Sequence, residues 1–304
     1  MLAFHEKFNL IHQLHPITNL VFTGVVFLLA LICSHPLYLL VLFMATGTVI
    51  IAAGHREEWL SYLKFSLIMI LMLMIVNVTF VHYGETVLYT GPRLPVIGEL
   101  IITLEALAYA GGMGLRLLVI ISIFCLYTYA IHPDKVLKLF SHRGGKSVLV
   151  VTLATRLFPL MVQDYIRITE AQRCRGVKFG SGNWYERIKK TLPVFKILLV
   201  SSMDRSLQLA ESMHARGYGS GRPSSYQIEL WRSRDFIIIP VLGLGLLSGL
   251  WSLMHGWSSY NYYPRLADFQ SEEIIMAAVI MLTLSFPAIL NWGWLKCRSL
   301  RSKI

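Results

Sequence analysis

The phrase Glu170-Ala171-Gln172-Arg173-Cys174-Arg175-Gly176 returns 41 residues later as Glu211-Ser212-Met213-His214-Ala215-Arg216-Gly217. Each copy closes a helical pattern, and each closes on Arg-Gly. Both lie in residues 131–235, where 18 Lys and Arg stand against 8 Asp and Glu, so that this block carries +10 of the chain's net charge of +11. A basic helix end that occurs twice in one polar block indicates a surface presented to partners.

The composition around this block is that of an integral membrane protein. Of the 304 residues 55% are hydrophobic and 15% are charged, whereas about 25% are charged in ordinary soluble domains. The basic excess argues for membrane topology rather than nucleic acid, because it flanks apolar segments and is not interleaved with aromatic residues on a soluble fold. The four cysteines show no CxxC or Cys/His metal spacing.

The sequence gives no sign of an enzyme. Gly145-Lys146-Ser147 matches only the end of a phosphate-binding P-loop, because Phe140 stands where the first glycine is needed and no strand precedes it. No clustered carboxylates and no Ser/His/Asp grouping stand out. We therefore expect a non-catalytic protein with no cofactor and no metal site.

Six apolar segments are long enough to cross a bilayer, given that about 20 apolar residues span its hydrocarbon core. They lie at about 17–33, 37–53, 59–81, 104–131, 236–254 and 274–294, and a Gly- and Pro-rich loop fills about 82–101. The central block and the tail at 296–303 are both basic, which predicts that both are cytoplasmic. Even numbers of spans separate them from each other and from the N-terminus, so both termini should be cytoplasmic as well.

These segments predict three parts: a membrane part with four spans (1–131), a cytoplasmic helical domain (132–235), and a membrane part with two spans and a basic tail (236–304). The fourth span contains Glu105 and Arg116. An arginine inside the membrane is costly, so Arg116 should face the protein interior or a wet cavity. It either lines a substrate or proton path or ties helices together; we favour the tie, because the sequence names no partner carboxylate.

The central block predicts a short helix at 134–140, a break at 141–145, and two long helices at about 146–175 and 184–216. Helical spacing gives each long helix an apolar stripe. The first stripe is Leu153, Leu157, Met161, Tyr165 and Ile168, and the second is Leu192, Phe195, Leu199, Met203, Leu207 and Ala210. At ~30 residues each, the helices would be about 45 Å long. They are too polar along one side to span a membrane, yet apolar enough to need a covering partner.

The two terminal arginines have a local and a functional interpretation. Arginine in a last turn complements the helix dipole, which is worth about 0.3–1 kcal/mol. Two copies at matching positions, each followed by glycine, favour the second interpretation, in which a guanidinium at a projecting helix end pairs with a carboxylate of another protein.

The paired motifs Ala171-Gln172-Arg173-Cys174-Arg175-Gly176 and Ala215-Arg216-Gly217, together with Arg156-Leu157-Phe158-Pro159, resemble the double Ala-Arg-Gly signature of the transmembrane T component of energy-coupling factor transporters, the EcfT/CbiQ family. One departure is Cys174, where members often have alanine. The resemblance implies an all-α polytopic fold whose crossed cytoplasmic coupling helices insert their arginine-bearing ends into two ABC-type ATPase subunits.

The resemblance also implies roles for particular residues and partners. The ATPase-docking residues would be Arg173, Arg175, Gly176, Ala215, Arg216 and Gly217. The stripe contacting a small substrate-binding membrane subunit would be Leu153, Leu157, Met161, Leu192, Phe195, Leu199, Met203 and Leu207. The complex would import a vitamin or transition-metal ion across a prokaryotic plasma membrane. A conventional ABC importer permease that binds substrate itself is the alternative, and a membrane transferase or hydrolase is a third.

Overall fold

A computed structural model describes residues 11, 14–80, 86–94, 98–131, 133–180, 183–221, 231–263 and 271–296. The described elements are, in order, α1 (Pro16–Ile32), α2 (Pro36–Ala53), α3 (Arg56–Phe80), β1 (Val87–Leu94), β2 (Gly98–Thr103), α4 (Leu104–Ala130), α5 (Pro133–Cys174), α6 (Trp184–Ala215), α7 (Ser233–Met254) and α8 (Ser271–Lys296). The chain divides into two compact units. We call Met1–Val136 with Leu230–Ile304 the membrane unit, and Leu137–Glu229 the arm unit.

Six helical stretches are long and apolar enough to cross a membrane, which confirms the predicted polytopic helical fold. Five of them lie in α2, α3, α4, α7 and α8, each of which overlaps a predicted span. The sixth is Leu149–Cys174 of α5, whereas α1, with 17 residues, is an apolar helix of shorter length. The sequence instead predicts a span at about 17–33, which is α1, and none in α5, because charged residues are scattered along the C-terminal part of α5.

The described residues of the predicted loop at 82–101 include two strands, despite the loop's glycine and proline content. β1 and β2 form an antiparallel hairpin in which Val87 is opposite Thr103 and Tyr89 is opposite Ile102. Residues such as Val87, Tyr89 and Ile102 favour strands because their branched or aromatic side chains suit a pleated surface. The predicted all-α fold therefore stands, with one short hairpin between α3 and α4 in the described residues.

Two helices of the membrane unit start at a His-Pro pair. The ring nitrogen Nδ1 of His15 accepts a hydrogen bond from the Ile17 amide (3.3 Å), and His35 Nδ1 accepts one from the Leu37 amide (3.2 Å). The proline that follows each histidine occupies the first helical turn, where its missing N–H has no intrahelical partner in any case. The sequence thereby sets sharp starts for α1 and α2.

Within the membrane unit α2 packs against both α4 and α8, α3 packs against α4, and α7 packs against α1 and α8. Hydrogen bonds join the helices inside this apolar core. Trp59 Nε1 of α3 donates to Ser122 Oγ of α4 (2.9 Å), and Asn291 Nδ2 of α8 donates to the Ala52 carbonyl of α2 (2.7 Å). Such buried bonds fix one packing register, because a shifted register would leave their polar atoms without partners.

The start of α7 is fastened to the start of α1 by one buried carboxylate. Asp235 Oδ1 accepts hydrogen bonds from the His15 amide (3.0 Å) and from Thr18 Oγ1 (2.9 Å), and Asp235 Oδ2 accepts one from the Arg232 amide (3.2 Å). Helix N-termini favour a negative charge. These bonds therefore hold the start of α7 against the start of α1.

The arm unit departs from the prediction near its beginning. α5 runs without a break from Pro133 to Cys174, so the predicted short helix at 134–140 and the break at 141–145 are wrong. Glycine in a helix interior costs about 1 kcal/mol per residue relative to alanine. Ending and restarting a helix would forfeit several backbone hydrogen bonds and require a second nucleation, so the helix continues through Gly144 and Gly145.

Candidate docking site

The two Arg-Gly helix ends have the same backbone hydrogen bonds. At the end of α5, the Gly176 amide donates to the Arg173 carbonyl (2.9 Å) and the Val177 amide to the Gln172 carbonyl (3.1 Å). At the end of α6, the Gly217 amide donates to the His214 carbonyl (2.9 Å) and the Tyr218 amide to the Met213 carbonyl (3.0 Å). This pair of bonds is the Schellman closure.

Both closures depend on glycine. Gly176 has φ +88° and Gly217 has φ +75°, a left-handed conformation that L-residues adopt at a cost of about 1–2 kcal/mol. α7 ends in the same way at Gly256, so the closure by itself is a general helix stop. The α5 and α6 ends are distinguished by the arginine, Arg175 or Arg216, held directly before the glycine.

All six predicted docking residues lie at the surface: Arg173, Arg175, Gly176, Ala215, Arg216 and Gly217 are exposed. Arg173 also lines an open groove together with Phe179 and Trp184, between the end of α5 and the start of α6. The side chains that the sequence selected are thus accessible to a partner and not packed in the interior of the arm unit.

An ion pair joins the two long helices. Arg205 Nη2 of α6 lies 2.7 Å from Asp164 Oδ2 of α5, with side chains that are 34% and 21% exposed. The two residues are 41 positions apart, which is the offset of the repeated phrase. The sequence prediction does not include this pair, although the offset of 41 residues was a signal that could have found it.

The ion pair occupies equivalent positions in the two copies. Asp164 lies eleven residues before Arg175, and Arg205 lies eleven residues before Arg216. At 1.5 Å per helical residue, each arginine lies about 16 Å along its helix from the point where the helices meet. The two docking ends are therefore matched in their bonding and in their distance from a common point.

The predicted stripe residues have different environments on the two helices. On α5, Leu153, Leu157 and Met161 are half-buried. They share the side of the helix that carries Asp164, three residues after Met161 and one turn further along. This stripe therefore lies on the side of α5 that meets α6.

On α6 the predicted stripe is exposed, although Leu192 and Phe195 at its beginning also line the open groove beside α5. Leu192, Phe195, Leu199, Met203 and Leu207 are 59–63% exposed. The opposite side of the helix contains the buried Val194 and the half-buried Leu198 and Arg205. α6 is thus apolar on two sides: one serves the arm unit, and the other is left uncovered within the described part of the chain.

A second polar cluster lies at the turn between α1 and α2. Arg116 Nη2 of α4 donates to the Cys33 carbonyl (3.0 Å) and to Ser34 Oγ (3.3 Å), and Tyr262 donates to the Ser34 carbonyl (3.2 Å). Burial raises the pKa of Tyr262 to about 12. Arg116 thus connects α4 to the α1–α2 turn, which agrees with the favoured interpretation of a polar tie.

His35, in the same turn, is buried beside a carboxylate. Its Nδ1 accepts the helix-capping bond from Leu37, and its Nε2 lies 3.2 Å from Glu273 Oε2. Burial lowers the pKa of His35, and the nearby Glu273 carboxylate offsets part of this effect. No group of three or more His, Cys, Asp or Glu suited to a metal ion occurs among the described residues.

Comparison with known proteins gives one consistent group of relatives. Residues 7–226 match the family model CbiQ, described as cobalt transport protein. The energy-coupling factor transporter transmembrane protein EcfT of Lacticaseibacillus paracasei is 28% identical over 260 residues, which cover 80% of this chain and 94% of the relative.

Two further relatives with the EcfT name match a shorter stretch at higher identity. EcfT 1 of Listeria monocytogenes is 39% identical over 124 residues, covering 40% of this chain and 45% of the relative. EcfT of Lactococcus lactis is 36% identical over 123 residues, again covering 40% of this chain and 45% of the relative. The matched stretch thus spans less than half the length of these two relatives.

Proposed function

Since the chain belongs to the CbiQ family of cobalt transport proteins, we propose that it is the transmembrane coupling subunit of an energy-coupling factor importer. In this role it catalyses no reaction itself. It couples ATP hydrolysis in two ABC-type ATPase subunits to a small substrate-binding membrane subunit, which takes up a vitamin or a transition-metal ion.

One observation carries the proposal: two identically closed helix ends, each presenting an exposed arginine, at equal helical distances from a shared ion pair. Two equivalent ATPase subunits need two equivalent contacts. Arg175 and Arg216 would each pair with carboxylates in a groove of one ATPase, because a guanidinium donates two parallel hydrogen bonds to a carboxylate. Arg173 would support the first contact.

The membrane partner would take the uncovered stripe of α6. Leu192, Phe195, Leu199, Met203 and Leu207 form an apolar surface that water does not solvate favourably. A transmembrane partner with an apolar flank would cover it. The ATPases would drive a motion of α5 and α6, and this contact would transmit the motion to the substrate-binding subunit.

The charge distribution supports cytoplasmic arms and cytoplasmic termini. Residues 131–235 hold most of the net positive charge, and basic segments next to spans remain on the cytoplasmic side. We place Leu149–Cys174 outside the bilayer despite its hydropathy. It contains Arg156, Asp164, Arg167, Glu170 and Arg173, and each charge at the centre of a membrane costs several kcal/mol, about 3 by insertion scales.

The test is a charge reversal at both helix ends. In Arg175→Glu with Arg216→Glu, each carboxylate would face the carboxylates that the arginines contact, so we expect loss of ATPase co-purification while membrane insertion remains normal. The matched control is Arg167→Glu with Arg187→Glu, which makes the same charge change on exposed side chains of the same helices. Recovery of both ATPases at the wild-type level from the test variant would refute docking through these ends.

Co-purification also separates the alternatives. A coupling subunit brings down two ATPase chains and a small substrate-binding membrane protein. A conventional importer permease would bind the substrate on its own, and a membrane transferase or hydrolase would be active as the isolated chain.

A further inference from the structure

The first turns of α6 carry exposed aromatic and basic side chains that the proposed docking does not use. Trp184 and Tyr185 are 76% and 74% exposed, the highest values among the large hydrophobic side chains of the arm unit in the described residues. Ile188, Lys189 and Lys196 are exposed as well. We call these five residues the aromatic–basic patch.

Helical geometry puts the patch on one side of α6. At 100° per residue, Trp184 and Ile188 lie 40° apart, and Tyr185 lies 60° beyond Ile188. Lys189 and Lys196 are seven residues apart, so they stand above each other along the edge of this apolar arc. An apolar arc with aromatic residues at one end and a row of lysines along its edge is the pattern of a helix lying in a membrane interface.

The other side of the same turns is already occupied. Val194 is buried, and Lys190 and Thr191 are half-buried. Trp184 and Ile188 line the open groove beside the end of α5, whereas Tyr185, Lys189 and Lys196 do not. All five side chains remain exposed, so packing of the arm unit on itself does not cover them.

Charge indicates the kind of surface that would cover the patch. Residues 184–196 contain four basic residues, Arg187, Lys189, Lys190 and Lys196, against one acidic residue, Glu186, a net charge of +3. An anionic surface complements this charge. Tryptophan and tyrosine are enriched at the level of lipid headgroups, and a lysine stem can lie along apolar surface while its ammonium group remains in water.

We propose that the aromatic–basic patch lies on anionic phospholipid headgroups, so that the start of α6 rests in the membrane interface. A chain held in a bilayer by its own spans presents this segment to lipid at high effective concentration, so a modest intrinsic affinity is enough. The proposal does not depend on ATPase docking, because the patch includes neither Arg175 nor Arg216.

The test measures lipid contact in the full chain in nanodiscs. Cys174 and Cys297 are replaced by alanine, while the buried Cys33 and Cys125 remain. A fluorophore is attached to Tyr185→Cys in one sample and to Glu186→Cys in the other. These neighbouring sites are both exposed, but Glu186 lies about 100° round the helix from Tyr185, beyond the lysine edge of the patch, so it is the matched control. The quencher is a phosphatidylcholine that carries a nitroxide near the headgroup.

We expect lipid quenching at position 185 but not at 186, and we expect it to be stronger when phosphatidylglycerol replaces part of the phosphatidylcholine. Each basic residue near an anionic surface contributes enough to change the ratio of bound to free segment by about fivefold. Lys189→Gln and Lys196→Gln should each lower that ratio by about this factor, whereas Lys190→Gln, on the half-buried side, should lower it less.

Three outcomes would overturn the proposal. Equal quenching at positions 185 and 186 would mean that the patch does not face lipid. Quenching at position 185 that does not change with phosphatidylglycerol or with either lysine substitution would mean that the contact with lipid is apolar and does not depend on anionic headgroups. Protection of position 185 from both lipid and aqueous quenchers would mean that a protein covers the patch. ATPase co-purification, measured on the same samples, reports separately on docking.

Discussion

The ion pair between Asp164 and Arg205 should determine how the two arms, the helices α5 and α6, are positioned relative to each other. A swap of the two charges tests this. Its nitrogen and oxygen are 2.7 Å apart, and the side chains are only 34% and 21% exposed. Fully exposed pairs are worth about 0.2–1 kcal/mol, and hydrogen bonds to charged groups about 1.5–3 kcal/mol. Because this pair is partly buried, we expect it to contribute about 1–2 kcal/mol.

Asp164→Arg places two guanidinium groups against each other, and Arg205→Asp places two carboxylates against each other. Each single reversal removes the attraction and adds repulsion, so the arms should no longer be held at the point from which Arg175 and Arg216 are equidistant. Since 1.4 kcal/mol corresponds to a tenfold change in an equilibrium constant, ATPase affinity should fall by about tenfold. The double variant restores an opposite-charge pair and should recover most of that loss.

The assay is the affinity of each purified variant for the ATPase pair, together with its thermal unfolding midpoint. Asp204→Arg is the matched control, since it makes the same charge change at the neighbouring, exposed position. If the double swap binds no better than either single variant, or if the single variants bind like the wild type, the ion pair does not position the arms.

Three further predictions concern other parts of the chain. Leu199→Asn with Met203→Gln, on the uncovered side of α6, should reduce co-purification of the membrane partner and leave ATPase recovery unchanged; loss of both would indicate a folding defect. Gly217→Ala should lower the thermal midpoint of the chain, because φ +75° costs alanine about 1–2 kcal/mol, while Gly221→Ala, which meets open space, should not. Burial lowers the pKa of His35 below its ordinary 6.5, so the unfolded chain binds a proton more readily than the folded chain. Stability should therefore fall as the pH drops below about 6.5. In a plot of thermal midpoint against pH, His35→Gln should reduce the slope in this range, and an unchanged slope would contradict the prediction.

The apolar segments and helix ends followed from local sequence because they depend on local chemistry. A run of apolar residues is recognised by its length, and a glycine after a helical pattern is preferred for its left-handed conformation. The ends at Gly176 and Gly217 are therefore where the sequence predicted them. The unbroken α5 was missed because local breaker residues such as Gly144 and Gly145 do not report the cooperative gain of continuing a long helix.

The sequence by itself determined that this is a helical membrane protein and which two arginines follow the long helices. It could not determine that the stripe of α5 meets α6 while the stripe of α6 remains exposed, because helical spacing marks both stripes in the same way. The offset of 41 residues relates Asp164 to Arg205 in the sequence, but only the packing of α5 against α6 shows that the two form an ion pair. Only the tertiary structure decides these features, because burial and ion pairing depend on which helix faces come into contact. The identity of a side chain does not specify which distant residue will lie beside it.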